Sequence, residues 1–144
     1  MSVSAILALA TVAGCAAVVA TDRVVREVQF SGYYNDITGE LSDGTPFTGK
    51  SWFRGNTARG DFCLQAAEMV CSGTYSANLA RRINGEMVCS NGLTGEYTTE
   101  RVPKGDFVVP LDASGALSDG RTATATFSAI KQGSGTATCF VPKG

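Results

Sequence analysis

Cysteine is the residue type with the most evident chemistry in this chain, and histidine is absent. Without histidine, no Ser-His or Cys-His nucleophile and no His-ligated zinc can form. No two cysteines have the C-x-x-C spacing that is typical of a zinc site. We therefore predict no metal, no cofactor and no catalytic residue. The five cysteines are Cys15, Cys63, Cys71, Cys89 and Cys139.

The carboxylates are the second group that could do chemistry. Glu86, Glu96 and Glu100 lie in strand-like segments, where paired carboxylates could act as a glycosidase acid and base. A solvated sheet face is the more common role for such residues. No two aspartates stand two residues apart, so no calcium loop of the EF-hand type is present. The basic residues are scattered and the net charge is −1, which argues against a nucleic-acid partner.

The N-terminal segment is apolar and ends in a distinctive short motif. Residues 3–20 carry no charged side chain. Within this run, Val12-Ala13-Gly14-Cys15 resembles the lipobox of bacterial lipoprotein precursors, in which an aliphatic and two small residues precede a cysteine. Two other interpretations stay open: a cleaved secretory signal without lipid, and an uncleaved apolar anchor.

The lipoprotein resemblance implies a domain organisation and an address. Residues 1–14 would be the signal peptide, Cys15 would carry the lipid, palmitate included, and residues 15–27 would form a tether. Residues 28–144 would form the folded domain. The lipid on Cys15 would make the membrane a partner of the protein. By the same resemblance, Ala16 directly after the cysteine favours the outer membrane.

Setting Cys15 apart leaves four cysteines, an even number that suggests two disulfides in an exported domain. Residues 70–75 and 83–89 both have the character of strands. A loop centred near Leu79 would place Cys71 opposite Cys89, within reach of a disulfide. We therefore predict the pairs Cys71–Cys89 and Cys63–Cys139.

A recurring turn sequence determines the predicted fold. The same pattern occurs in residues 39–44, 85–92 and 115–120. Each segment begins with glycine, continues through a short apolar stretch, and ends in Ser-Asp-Gly or Ser-Asn-Gly. Such Asp-Gly and Asn-Gly pairs favour hairpins with type I′ turns. Residues 122–130 alternate between threonine and small or apolar residues, as in a half-buried strand.

These signals predict an all-β domain: an antiparallel meander of about eight to ten short strands, forming a small barrel or a sandwich. Residues 133–141 are expected to be the strand that closes the sheet. Residues 61–70 alone have helical character. The tripeptide Arg59-Gly60-Asp61 is expected to be a turn.

One aromatic concentration suggests a binding surface. Trp52, Tyr33 and Tyr34 form a possible partner surface, although core packing is the alternative. The predicted function is that of a non-enzymatic accessory or structural subunit of an envelope assembly, with an envelope protein as partner. A lysozyme-type hydrolase inhibitor and a small-ligand-binding β-barrel are the alternatives.

Overall fold

The computed structural model describes residues 22–53, 59–76, 80–105 and 107–144. These ranges contain nine β-strands. None of the described residues forms a helix long and apolar enough to cross a membrane. The strands are β1 Arg23–Leu41, β2 Pro46–Phe53, β3 Arg59–Ala66, β4 Val70–Ser76, β5 Arg82–Cys89, β6 Thr94–Lys104, β7 Phe107–Leu117, β8 Thr122–Phe127 and β9 Lys131–Pro142.

Eight of the strands form a closed antiparallel meander barrel. Strands β2 to β8 pair in chain order, and β1 pairs with both β8 and β2. The prediction of an all-β antiparallel meander is therefore confirmed, and the architecture is a barrel. The expectation that residues 133–141 close the sheet is wrong, because β1 closes it. Strand β9 pairs with β1 alone and lies outside the ring.

Strand β1 serves two structures because it is 19 residues long. Its second half, residues 33–41, belongs to the barrel. Its first half pairs with β9 over residues 23–34 and leaves the barrel near Gly32, whose φ of 123° favours glycine. We call residues 23–32 together with β9 the ribbon. The predicted tether, residues 15–27, overlaps the ribbon in residues 23–27.

Three turns at one end of the barrel have the same conformation. In each, only the glycine has positive φ: Gly44 at 89°, Gly92 at 86° and Gly120 at 93°. The preceding Asp or Asn accepts a hydrogen bond from the backbone N–H two residues on. The hairpins were predicted correctly, but the type I′ turn was wrong. A type I turn followed by a left-handed glycine fits these angles.

The serine of each turn connects its hairpin to the neighbouring strand. The Ser42 N–H donates to the Thr122 carbonyl, and the Thr122 N–H donates back to Ser42 Oγ. Ser90 makes the same reciprocal pair with Val70, and Ser118 makes it with Thr94. The repeated sequence is therefore a device that fastens adjacent hairpins at the barrel end.

The barrel lumen is filled by alternate side chains of its strands. A buried cluster there includes Ile37, Phe47, Phe62 and Met87. Most lumen glycines lie directly opposite a large side chain, which occupies the space where their own side chain would be. These register pairs are Gly39–Phe47, Gly60–Tyr75, Gly73–Phe62, Gly85–Tyr97 and Gly95–Met87.

The structure contains both disulfides of the predicted pairing. Cys71 and Cys89 are register partners whose Cα atoms lie 4.0 Å apart, and the bond is part of the lumen core. Cys63 and Cys139 join β3 to β9 with a Cα separation of 5.1 Å. Two disulfides indicate folding in an oxidising compartment, extracellular or periplasmic.

The two remaining local expectations are wrong. Residues 59–66 form a strand, with no helix at 61–66 and no turn at 59–61. Strand β3 pairs with β2 on one side and β4 on the other, and Gly60 is buried opposite Tyr75. Pairing along both edges outweighs the weak helical propensity of this segment.

Candidate functional site

The ribbon packs on the outer face of the barrel. Residues that alternate with the lumen positions of β2, β3 and β4 face outward, and β9 contacts all three of these strands. Phe30, Ala137 and Cys139 of the ribbon form a second buried cluster with Cys63 of the barrel. The chain therefore has two cores, one inside the barrel and one between the ribbon and the barrel wall.

Ser72 fixes the ribbon strand against β4. Its hydroxyl accepts a hydrogen bond from the Phe140 N–H at 2.7 Å and donates to Cys63 Sγ at 3.5 Å. Ser72 is only 7 % exposed, so both contacts are shielded from water. Together with the Cys63–Cys139 bond, they hold the end of β9 at one position on the barrel.

A cleft of about 590 Å³ lies between the ribbon and the barrel. Its volume lies within the range of small-molecule sites. Aromatic, aliphatic and disulfide groups line it together with charged and hydroxyl groups. The apolar lining includes Val28, Phe30, Trp52, Val141 and the Cys63–Cys139 pair, and the polar lining includes Arg23, Gln29, Ser31, Arg59, Asp61 and Thr74.

Trp52 is the central aromatic of this cleft. Its ring stacks on Phe30, with centroids 4.9 Å apart and planes at 16°. Phe30 is buried, whereas Trp52 is half-buried and lines the cleft. Trp52 therefore packs against the ribbon and also contributes surface to the cleft.

The charges of the cleft come from both of its walls. Arg23 belongs to the ribbon; its Nη1 donates to the Phe140 carbonyl at 2.8 Å, and its guanidinium lies 5.8 Å from the Phe140 ring centroid. Arg59 and Asp61 belong to β3 and approach to 3.9 Å. The described residues therefore give the cleft two guanidinium groups and one carboxylate.

The structure divides the predicted aromatic surface between two faces. Trp52 and Tyr34 are register partners on the outer face, and Tyr34 also contacts Phe30, with ring centroids 5.3 Å apart. Tyr33 has the lumen parity and stacks on Phe53, with centroids 5.4 Å apart. Of the three predicted residues, Trp52 lines the cleft, Tyr34 packs beside it, and Tyr33 faces the other way.

An ion cluster borders Tyr34 where β1, β2 and β9 meet. The Asp36 carboxylate accepts hydrogen bonds from Lys50 and Lys131. Both ammonium groups lie within 6 Å of the Tyr34 ring, at 5.6 and 5.8 Å from its centroid. The hydrogen bond from Lys131, followed by that from Lys50, holds the pKa of Asp36 below its usual value.

A buried arginine occupies the barrel end opposite the three serine turns. Arg101 is 6 % exposed, and it donates to the carbonyls of Ala80 and Ser76. Burial lowers its pKa, and burial raises the pKa values of the nearby Tyr75 and Tyr97. The Tyr97 hydroxyl donates to the Thr74 carbonyl at 2.7 Å. Arg101, Tyr75 and Tyr97 therefore bring polar groups together at this end of the barrel.

The other predicted chemical groups lie apart from the cleft. Glu86, Glu96 and Glu100 are exposed on the outer face, with Glu100 3.2 Å from Arg82. Within the part of the chain that the structure describes, no three metal-ligating side chains cluster. Cys15, the predicted lipidation site, lies outside the described residues, as does the predicted signal peptide.

Several residues of the cleft carried no sequence signal of their own. Arg23, Arg59 and Asp61 are ordinary charged residues, and Arg23 fell in the predicted tether. Only the long-range pairing of β1 with β9 brings Arg23 to the same cleft as Trp52. Trp52 differs from these residues, because the alternation of side chains along its strand places it on the face opposite Phe47 and Phe53, where an indole is either exposed or covered by another element.

Comparison with known proteins finds similarity to engineered barrels. The chain matches no protein-family model, and no curated protein sequence matches it significantly. A de novo designed fluorescence-activating β-barrel is similar in structure, with a TM-score of 0.47 and 22% identity over 68% of this chain and 91% of that chain. A redesigned β-barrel bound to DFHBI has a TM-score of 0.47 and 16% identity over 67% of this chain and 92% of that one.

Proposed function

We propose that this chain is a lipoprotein of the bacterial cell envelope that acts without catalysis, as an accessory subunit whose barrel binds through the cleft. The lipid on Cys15 would hold the domain at the outer membrane. The observation that carries the binding role is the cleft of about 590 Å³ that Trp52 lines between the ribbon and the barrel. The two disulfides support export, since such bonds persist in oxidising compartments.

The walls of the cleft are held in place before any partner or ligand binds. Here a closed disulfide and a buried Ser72 fix the ribbon while a half-buried indole still borders open space. Rigid walls of this kind reduce the entropy that binding would cost.

Co-purification tests the accessory role. The full chain, including residues 1–21, is expressed in a bacterial envelope, and detergent-solubilised complexes are isolated for the wild type and for Trp52→Leu. We expect a stoichiometric envelope partner with the wild type that is lost with Trp52→Leu. Circular dichroism and thermal unfolding confirm that the variant is folded, and Tyr33→Leu, an aromatic change on the lumen face, is the matched control.

Three outcomes separate the alternatives. A partner retained equally by Trp52→Leu, or no partner at all, contradicts binding through the cleft. A captured muramidase whose activity is inhibited favours the hydrolase-inhibitor alternative. A small molecule bound in native mass spectrometry, with no protein partner captured, favours ligand carriage. The lumen is filled by Ile37, Phe47, Phe62, Met87 and their neighbours among the described residues, so we place such a ligand in the cleft.

The lipid anchor has its own test. Globomycin, which blocks the lipoprotein signal peptidase, should leave an uncut precursor and raise the mass of the protein. Cys15→Ser should abolish labelling of the protein with palmitate. An unchanged mass under globomycin and no palmitate label on the wild type would contradict lipidation and leave the binding proposal standing.

A further inference from the structure

We infer that the cleft between ribbon and barrel binds a short saccharide that bears a carboxylate. This inference rests on the proposed binding role of the cleft and adds the chemical class of the ligand. It follows from three features of the cleft: an aromatic wall, a rim of hydroxyl and amide groups, and an excess of guanidinium groups over carboxylates.

The aromatic wall suits the face of a sugar ring. One side of a pyranose presents C–H groups, which pack on a flat aromatic surface, while its edges present hydroxyls. Trp52 is held flat against Phe30 by a stacked contact of 4.9 Å, so its orientation is fixed before a ligand arrives. Val141 and the Cys63–Cys139 bond continue the apolar lining beside it.

The rim provides hydrogen-bonding groups around this wall. Gln29 and Ser31 of the ribbon and Asp61 and Thr74 of the barrel are among the residues that line the cleft. Amide, hydroxyl and carboxylate groups can donate to or accept from ring hydroxyls in several geometries. An acyl chain offers no hydrogen-bonding group to this rim, so the rim argues against a lipid as the ligand.

The balance of charge selects an acidic sugar. Arg23 and Arg59 stand on opposite walls, whereas Asp61 is the one carboxylate among the described residues of the lining. A guanidinium group matches a carboxylate through two parallel hydrogen bonds. Arg23 is held by its bond to the Phe140 carbonyl, which positions it before binding. A nucleic acid would need more cations than this chain of net charge −1 offers.

A matched pair of disaccharides tests the inference. N-acetylglucosaminyl-N-acetylmuramic acid carries a lactyl carboxylate, and N,N′-diacetylchitobiose has the same backbone without it. Trp52 is the only tryptophan of the chain, so its intrinsic fluorescence reports on the cleft directly. Calorimetry of the same titrations gives affinities that do not depend on the fluorophore.

We expect the acidic disaccharide to bind with a change in Trp52 emission. The affinity of the neutral disaccharide should be lower by about 10-fold or more, because it lacks the charge-assisted hydrogen bonds of the carboxylate. Arg23→Gln should remove this preference. Arg26→Gln is the matched control, because Arg26 is exposed on the same strand but does not line the cleft. Trp52→Phe should weaken binding of both sugars.

Specific results would overturn the inference. If neither disaccharide binds, the cleft is not a saccharide site. If both bind equally, or if Arg26→Gln acts as Arg23→Gln does, the carboxylate has no partner in the cleft. These failures are distinct from failure of the proposed function: loss of an envelope partner with Trp52→Leu would still support protein binding through the cleft.

Discussion

Single residues connect distant strands in this barrel, and Asp36 is the clearest case. It belongs to β1 and accepts hydrogen bonds from Lys50 of β2 and Lys131 of β9. Its side chain is 35% exposed, so solvent screens the pair and its contribution to stability is modest. The ion cluster lies where the ribbon leaves the barrel, so it connects the ribbon strand β9 to the barrel strands β1 and β2.

The pH dependence of stability follows from the lowered pKa of Asp36. A carboxylate whose pKa is lower in the folded state contributes stability above its unfolded pKa of about 3.9, and loses it as the pH falls through the folded value. Asp36→Asn should therefore lower the free energy of unfolding by roughly 0.5–1 kcal/mol at pH 7. Denaturant titrations should show this difference shrinking below pH 4. Asp112→Asn, an exposed change on the outer face, is the control, and a difference that persists at pH 2 would contradict the ion cluster.

The glycines of the lumen differ in what an added Cβ would contact. The three heavy atoms nearest to a Cβ built on Gly85 all belong to the Tyr97 side chain, with Cε1 at 2.6 Å. A Cβ on Gly73 would meet Phe62 and also the backbone carbonyl oxygen of Glu86 at 2.7 Å. Trimming the opposing aromatic can relieve the first clash but leaves the backbone contact of the second.

Gly85→Ala and Gly73→Ala should each destabilise the domain by about 1–3 kcal/mol through overpacking. In double-mutant cycles measured by chemical denaturation, Gly85→Ala should couple favourably to Tyr97→Ala, by about 1 kcal/mol or more. Gly73→Ala should couple less to Phe62→Ala, because the Glu86 carbonyl remains. Equal coupling energies in the two cycles would contradict the explanation that a backbone contact at Gly73, absent from the nearest contacts of Gly85, limits the relief.

Sequence reasoning at this scale identified Trp52 but not its neighbours. An indole on the face opposite Phe47 and Phe53 has to be covered or exposed, and the alternation of side chains in a strand makes that visible. Arg23, Arg59 and Asp61 have no such signature. Their role depends on contacts between segments far apart in the chain, which no local pattern encodes.

The three serine turns show how a short sequence specifies an element. Each combines one left-handed glycine, an Asp or Asn that accepts from the backbone, and a serine bonded to the next strand. The sequence predicted these hairpins, because Asp-Gly and Asn-Gly are strong hairpin signals. It did not predict the turn type, because type I′ and type I with a left-handed glycine share the same residue preferences.

The turn glycines should be sensitive to substitution for a backbone reason alone. Apart from the chain neighbours, no heavy atom lies within 4 Å of a Cβ built on Gly92 or Gly120, so contacts with the rest of the domain do not contribute. Gly92→Ala and Gly120→Ala should each cost about 1–2 kcal/mol, because an L-residue with a Cβ is strained at positive φ. Thermal or denaturant unfolding measures this cost, and Gly120→Asn should cost less than Gly120→Ala, since asparagine tolerates this conformation better. An equal cost for the two would argue against left-handed strain.

At the scale of the whole molecule, the sequence predicted the class of fold but not its division into two parts. Turn signals and alternating strands indicated a meander, and the even number of cysteines indicated two disulfides. The doubling of β1, which joins the barrel and the ribbon, depends on a register between residues 23–34 and residues 131–142. A segment of valine and charged residues such as 23–28 is compatible with a tether or a strand, and only its partner decides.

The two disulfides therefore belong to different parts of the molecule, and removing each should destabilise a different part. Chain entropy alone gives about 4–5 kcal/mol for the Cys63–Cys139 bond, which closes 76 residues, and about 3 kcal/mol for Cys71–Cys89, which closes 18. Removing Cys63–Cys139 by alanine substitution should free the ribbon first, because noncovalent contacts such as the Ser72 hydrogen bond and the Phe30 packing then hold it on the barrel. Hydrogen exchange should show early loss of protection in β9 while Ile37 and Met87 in the lumen stay protected.

Removing Cys71–Cys89 should lower protection throughout the barrel, since that bond lies in its core. Uniform loss of protection in both variants would mean that the ribbon and the barrel unfold as one unit, and the cleft between them could not open independently.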